Sequence, residues 1–299
     1  MASESSLVGI RAAMIGGDAR EHEILRQMLS AGMAVNAIGL PAGAEAILGR
    51  PQEVTVAGAA TGARVLVLPI PGLGTDDSIY APQWPHRLYL TAQDLALCAP
   101  RPVVIMGMAS AWLKSILAAG GARLREYEQD DELMILRSRA IAEGTIRIAI
   151  ENTDVTLHRC PVFLLGFGRV SMTLCGLLLA MRADLVVVAR NAVQLARAWE
   201  MGAEPLHLRD LPEAISRARV IINTIPAKIL TRDLLERTRR EALIIDLVVP
   251  PGGVDFDAAK EMGRKTVWAR GMGSRAPVTV GQSQWKGIRR MLLEELAES

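Results

Sequence analysis

Between residues 160 and 190 the chain carries a short apolar run, two closely spaced glycines, a helix-length apolar stretch and a closing arginine. The run 162–165 is short and aliphatic enough for a strand buried on both faces. Gly166-Phe167-Gly168-Arg169-Val170 follows it. The first glycine permits a tight turn, and the second lets backbone approach a pyrophosphate resting on the next helix's N-terminus. Ser171 stands where the third glycine of such a turn usually falls, and is still small. A second buried strand, 185–188, follows after one helix length and ends in Ala189-Arg190-Asn191. Dinucleotide turns commonly place an acid here to hold a ribose 2′-hydroxyl. An arginine instead pairs with a 2′-phosphate, so this position predicts NADP as the cofactor, with NAD as the alternative. A glycine pair that merely caps a helix is the blander reading. The strand–turn–helix–strand context favours the dinucleotide site.

The elements around this unit alternate in the same way. Strands are expected at 204–207, 220–223, 243–246 and 266–269, giving six with the first two, the count of a complete doubly wound dinucleotide fold. Asn223-Thr224-Ile225-Pro226 and Asp246 leave the carboxyl edge of that sheet and join the cofactor-binding candidates. The first third opens with a second unit of this type: a strand at 12–15, the turn Gly16-Gly17-Asp18-Ala19-Arg20, a helix over 21–30 and a strand at 34–38. Its turn lacks the dinucleotide spacing. Further strands are expected at 65–68 and 103–106, and residues 72–85, rich in proline and glycine, form an ordered loop. Apolar spacing predicts a connecting helix over 140–153. The expected fold is therefore α/β, with two doubly wound parallel-sheet domains. Residues 1–140 form a flavodoxin- or Rossmann-like substrate domain. Residues 141–299 form a complete NAD(P)-binding Rossmann domain, whose terminal helix, about 283–296, packs back on the first.

Composition narrows the class. Half the residues are hydrophobic and only 4% aromatic, and the formal charge is +2, so no large basic field attracts nucleic acid or a membrane surface. The apolar stretch 172–189 is broken by Arg182 and Asp184, which argues against a membrane span. Cys98, Cys160 and Cys175 lack metal-ligand spacing and read as buried free thiols of a cytoplasmic protein. No metal site is expected.

In order and spacing, Ile15-Gly16-Gly17-Asp18-Ala19-Arg20, Ala142-Glu143-Gly144-Thr145-Ile146, Leu165-Gly166-Phe167-Gly168-Arg169, Ile222-Asn223-Thr224-Ile225-Pro226 and Pro251-Gly252-Gly253-Val254-Asp255-Phe256 resemble the A-subunit family of dipicolinate synthases from spore-forming bacteria. The resemblance covers nearly the whole chain. It implies NAD(P)-dependent oxidation of dihydrodipicolinate to dipicolinate, a separate flavoprotein-like B subunit, and a role in the mother-cell cytoplasm during sporulation. Ser171 departs from the family glycine. Val249-Pro250 stands where the family pattern has a small polar residue followed by a basic one, and Val278 where it has lysine, so either other cations meet the substrate carboxylates or the substrate differs. Arg20 and Arg275, in glycine-flanked loops, are the candidates for that task. Asp18, Asp130 and Glu143 are the candidate bases, with Asp18 equally suited to capping a helix. The four histidines share no motif and receive no role. A homo-oligomer is expected. Two alternatives stay open: another two-domain NADP-dependent dehydrogenase of the hydroxyacid or amino-acid type, and a catalytically silent NADP-binding regulatory subunit.

Overall fold

A computed structural model describes residues 7–269 and 271–297, which divide into two compact units: residues up to Arg137 together with those from Ala276 onward, and residues Ser138–Arg275.

The first unit contains a five-stranded sheet of β1 (Arg11–Ile15), β2 (Ala34–Ile38), β3 (Val65–Val67), β4 (Val103–Met106) and β5 (Arg123–Glu126). All pairs are parallel and the order is β2-β1-β3-β4-β5, so the strand order reverses between β1 and β3. β3 and β4 are buried along their whole length, which is why they read as plain aliphatic runs. β5 escaped the sequence reading because it is a half-buried edge strand, Arg-Leu-Arg-Glu, whose charges alternate with nothing that looks like a core. The 72–85 stretch is a loop as expected. Isolated antiparallel bridges pair Leu73 with Ile79 and Ile79 with Leu88.

The second unit contains β6 (Pro161–Leu165), β7 (Asp184–Ala189), β8 (Glu204–His207), β9 (Val220–Asn223), β10 (Leu243–Asp246) and β11 (Lys265–Trp268). Its order, β11-β10-β9-β6-β7-β8, is the doubly wound dinucleotide arrangement, with the reversal between β6 and β9. Side chains alternate between its two faces: Val162 and Leu164 join one core, Phe163 and Leu165 the other. Each such fully buried side chain contributes about 1.5–3 kcal/mol relative to exposure.

Two long helices depart from the expected bounds. The connecting helix runs Asp131–Glu151, nine residues earlier than apolar spacing suggested, because Asp130 accepts the Leu133 amide and starts it there. The C-terminal helix runs Pro277–Ala297, beginning on a proline suited to a first helical position. It belongs to the first unit, where Gly281 lies against the first helix (Ala19–Ser30) and Gly287 against Leu133. A Cβ at Gly281 would stand 2.6 Å from the carbonyl oxygen of Arg20. That neighbour is backbone and cannot swing away. Gly281→Leu should therefore lower the stability of the folded chain by about 1–3 kcal/mol. An unchanged thermal midpoint in that variant would refute this packing.

Candidate active site

The glycine turn leaves β6 at the reversal point. Gly166 has φ +93°, and a Cβ there would come within 2.5 Å of the Thr224 hydroxyl, so both conformation and space demand glycine. The Thr224 amide and hydroxyl both donate to the Leu165 carbonyl, at 2.9 and 2.8 Å. With its proton so committed, Thr224 Oγ1 accepts from Ser171, 2.7 Å away. Ser171 is buried on the helix Arg169–Ala180, where it replaces the third glycine and ties that helix to the loop after β9. Phe167 is buried in the core and its carbonyl accepts from Gln194.

Gly168 is the opposite of Gly166. It is exposed, extended, and a Cβ would meet nothing within 4 Å. It occupies the N-cap of the helix Arg169–Ala180, and no side chain caps that helix. The helix start is thus open to a phosphate at the place where the sheet order reverses. Arg169 and Val170 form its first turn, with Arg169 exposed. These residues fit a dinucleotide: an uncapped helix, a glycine with free space above it, and a sequence position for each phosphate contact.

The remaining cofactor candidates separate into two kinds. Arg190 is exposed just beyond the buried Ala189 and has no hydrogen-bond or ion-pair partner among the described residues, so its guanidinium is available to a ligand. Pro226 is exposed and Ile225 half-buried, in the loop facing the glycine turn. Three others are engaged in hydrogen bonds within the protein. Asn191 caps the helix Ala192–Glu200, accepting from the amides of Val193 and Gln194. Asn223 and Asp246 are completely buried. Asp246 accepts from Asn223 Nδ2 at 2.9 Å, from the Val248 amide at 3.2 Å and from the Gly253 amide at 2.7 Å. Asn223 Oδ1 in turn accepts from the Ile225 amide. The pair therefore fixes the loops after β9 and β10.

The catalytic candidates are also rearranged. Asp18 is the N-cap of the first helix, and with Glu21 it forms a capping box. That start makes Arg20 a helical residue and not part of a turn. Arg20 is 7% exposed and donates two bonds to Asp18, from Nε at 2.9 Å and Nη2 at 2.7 Å. Burial alone would raise the Asp18 carboxyl, but the bonds and charge of Arg20 outweigh it and hold Asp18 below its ordinary value. Asp130 caps the connecting helix and pairs with Arg290. Burial is outweighed there too, by the Leu133 amide and Arg290, and the carboxyl stays low. Glu143 and Arg275, proposed separately as base and carboxylate binder, form an ion pair with each other. Asp130 and Glu143 thus serve as ion-pair partners, and Arg275 does not stand as a free cation. Among the described residues no cluster of histidine, cysteine or acidic groups could hold a metal. Cys160 and Cys175 are buried free thiols and Cys98 a half-buried one.

One residue of this region was passed over. Glu21 is 1% exposed and accepts from the Asp18 amide with one oxygen and the Ile70 amide with the other, both at 2.7 Å. It clamps the turn after β1 to the loop after β3. The Asp-x-x-Glu spacing was the signal for it, since it specifies a capping box. Burial pushes its carboxyl up to about 7, against the pull of the Ile70 amide. Its folded-state value thus lies above the ordinary 4.5. The associated stability is fully present below pH 4.5 and is lost as pH rises through about 7. Unfolding free energy should fall across that window by on the order of 2–3 kcal/mol. The slope should flatten in Glu21→Gln. Chemical denaturation at a series of pH values measures it, and a native chain without the decline would refute this account.

Comparison with known proteins agrees with both halves of this geometry. Residues 11–127 match the family described as the N-terminal domain of the dipicolinate synthase A subunit, and residues 147–261 match shikimate/quinate 5-dehydrogenase. The dipicolinate synthase A subunit of Bacillus subtilis strain 168 is 32% identical over 298 residues, covering 98% of this chain and 99% of the relative. The crystal structure of dipicolinate synthase from Bacillus subtilis, its A chain, superposes with a TM-score of 0.90 at 31% identity, covering 99% of this chain and 100% of that one. The A-subunit crystal structure from Bacillus halodurans gives 0.89 at 30% identity, covering 98% and 99%. The second unit is a dehydrogenase-type nicotinamide-dinucleotide fold, and the chain as a whole belongs to the family of dipicolinate synthase A subunits.

Proposed function

We propose that this chain oxidises dihydrodipicolinate to dipicolinate with NADP as the acceptor, as the A subunit of a dipicolinate synthase. The observation that carries the reading is the open, uncapped helix start at Gly168, lying at the strand-order reversal of a chain that aligns along 98% of its length with such a protein. Gly168, Arg169 and Val170 would hold the pyrophosphate, and Arg190 the 2′-phosphate. The bound nicotinamide supplies the two-electron acceptor. Aromatisation also releases one proton and requires the substrate's two carboxylates to be held in place. In this reading Arg20 would bind a carboxylate through the N–H groups that Asp18 does not use, and Asp18, held below its ordinary value, would take the proton. Asn223, Thr224 and Asp246 act by holding the loops that border the cofactor. A flavoprotein-like B subunit, self-association and a mother-cell cytoplasmic role in sporulation follow from the same reading. No helix among the described residues is long and apolar enough to cross a membrane. The match of residues 147–261 to shikimate/quinate dehydrogenase favours a second reading, oxidation of a different small carboxylate.

Turnover of the purified chain with dihydrodipicolinate and NADP, alone and with the B subunit, tests the proposal; no NADPH formation under either condition would overturn it. Replacing Arg190 with Asp should weaken NADPH binding by about 1.5–3 kcal/mol, roughly tenfold to a hundredfold, and shift preference to NAD. Equal affinity of the native chain for both cofactors would count against the arginine's role. Gly168→Val should fold normally, since its Cβ points into open space, yet lose NADPH binding because the side chain takes the place of the pyrophosphate. Native-like enhancement of NADPH fluorescence by that variant would mean the turn holds no phosphate.

A further inference from the structure

Among the residues of the first unit with no assigned role, Tyr80 combines a fixed backbone with an unpartnered polar tip. Its amide donates to the Gly72 carbonyl at 3.2 Å, and its carbonyl accepts from the Gly17 amide at 2.8 Å. Gly17 lies in the turn after β1 and Gly72 in the loop after β3, so Tyr80 is bound at both backbone groups to the two loops that flank the strand-order reversal. The fit is close. A Cβ at Gly16 would stand 2.7 Å from the Tyr80 carbonyl oxygen. The preceding residue, Ile79, is 3% exposed and bridges to both Leu73 and Leu88, anchoring the loop to the core. Tyr80 itself remains 38% exposed. Its hydroxyl makes no hydrogen bond among the described residues, although Asp18, Arg20 and Glu21 all lie within its electrostatic reach.

We propose that Tyr80 is a substrate-contacting residue, its hydroxyl donating a hydrogen bond to a carboxylate of a planar pyridine dicarboxylate held beside the Asp18–Arg20 pair. The proposal rests on the functional reading above and adds to it a specificity residue. The electrostatics favour a neutral donor here. Asp18 takes two of the N–H groups of Arg20 and cancels its charge, so Arg20 alone makes a weak anion site. Glu21, beside it, can only add negative charge as pH rises. A phenol supplies the further donor that a carboxylate needs without a second cation. Burial, and after it the charge of Asp18, pushes the phenol up from its ordinary value, so it stays protonated and able to donate at neutral pH. Because the backbone is held by two loops, little ordering entropy opposes the contact.

The test titrates pyridine-2,6-dicarboxylate into the full-length chain by calorimetry, with NADPH titrated separately. Tyr80→Phe should weaken dicarboxylate binding roughly tenfold, the loss expected for a hydrogen bond to a charged group, while NADPH affinity and thermal midpoint stay at native values. Tyr80→Ala should weaken the dicarboxylate at least as much. If the native chain binds the dicarboxylate and Tyr80→Phe binds it equally well, the Tyr80 assignment fails while the functional reading stands. If the native chain neither binds the dicarboxylate nor oxidises dihydrodipicolinate, the functional reading fails and takes this proposal with it.

Discussion

Where the order of a doubly wound sheet reverses, the loops leaving two neighbouring strands diverge to opposite faces, and their backbone amides are left without a strand to bond. Buried amides of this kind must find an acceptor. This chain meets the requirement twice, and in opposite ways. In the first unit the acceptors are its own carboxylates: Asp18 caps the helix after β1, and Glu21 takes the amides of Asp18 and Ile70. In the second unit the corresponding helix starts at Gly168, which has no side chain to offer. One helix start is filled by the protein's own anion and the other has no side-chain cap. The two turns differ at the cap itself, Asp18 against Gly168, and again three residues on, where Glu21 completes a capping box and Ser171 does not.

Openness at Gly168 depends on rigidity around it. Asp246 is a fully buried carboxylate that accepts three N–H groups, an arrangement that offsets the large cost of removing a charge from water. Two of those donors are amides of the loop after β10, and the third is the side chain of Asn223 at the end of β9. Gly253 packs so tightly on Asn223 that a Cβ would overlap it, at 2.0 Å from Nδ2. On the other side of β9, Ser171 and Thr224 bind the glycine-turn helix to the Leu165 carbonyl. The serine in the third glycine's place therefore serves as a tie between that helix and the loop after β9. It gives up a little space and gains a hydrogen bond.

Much of this was legible in the chain itself. The central strands, β3, β4, β6, β7, β9 and β10, announce themselves as aliphatic runs because parallel strands are buried on both faces, whereas the part-exposed edge strands β8 and β11 were legible only from the strand–helix alternation. The glycine turn and the arginine after β7 are local features with fixed spacing. What could not be read was tertiary. Glu143 and Arg275 are 132 residues apart in sequence, and Asp130 and Arg290 are 160 apart. A charged residue in a glycine-rich segment looks like a free reactive group until its partner is known. The half-buried β5 was invisible for the same reason: its arginines, at Arg123 and Arg125, look like surface until they pair with acids on the C-terminal helix. Glu21 was legible and passed over, since its spacing from Asp18 specifies a capping box.

These pairings change what the first unit can offer a substrate. Read singly, Arg20 is a cation suited to a carboxylate and Asp18 a base. Bonded to each other they form a neutral, rigid unit, and the buried Glu21 beside them ionises only as pH approaches about 7. The carboxyl edge of the first sheet is therefore a region of ordered dipoles with little net charge. A dianion is poorly held by such a surface through charge alone, and well held where donors are fixed in direction and need no reorganisation. On the proposed reading, selectivity would come from the geometry of the donors, which can distinguish a planar ring carrying two carboxylates at fixed angles from a flexible diacid of equal charge.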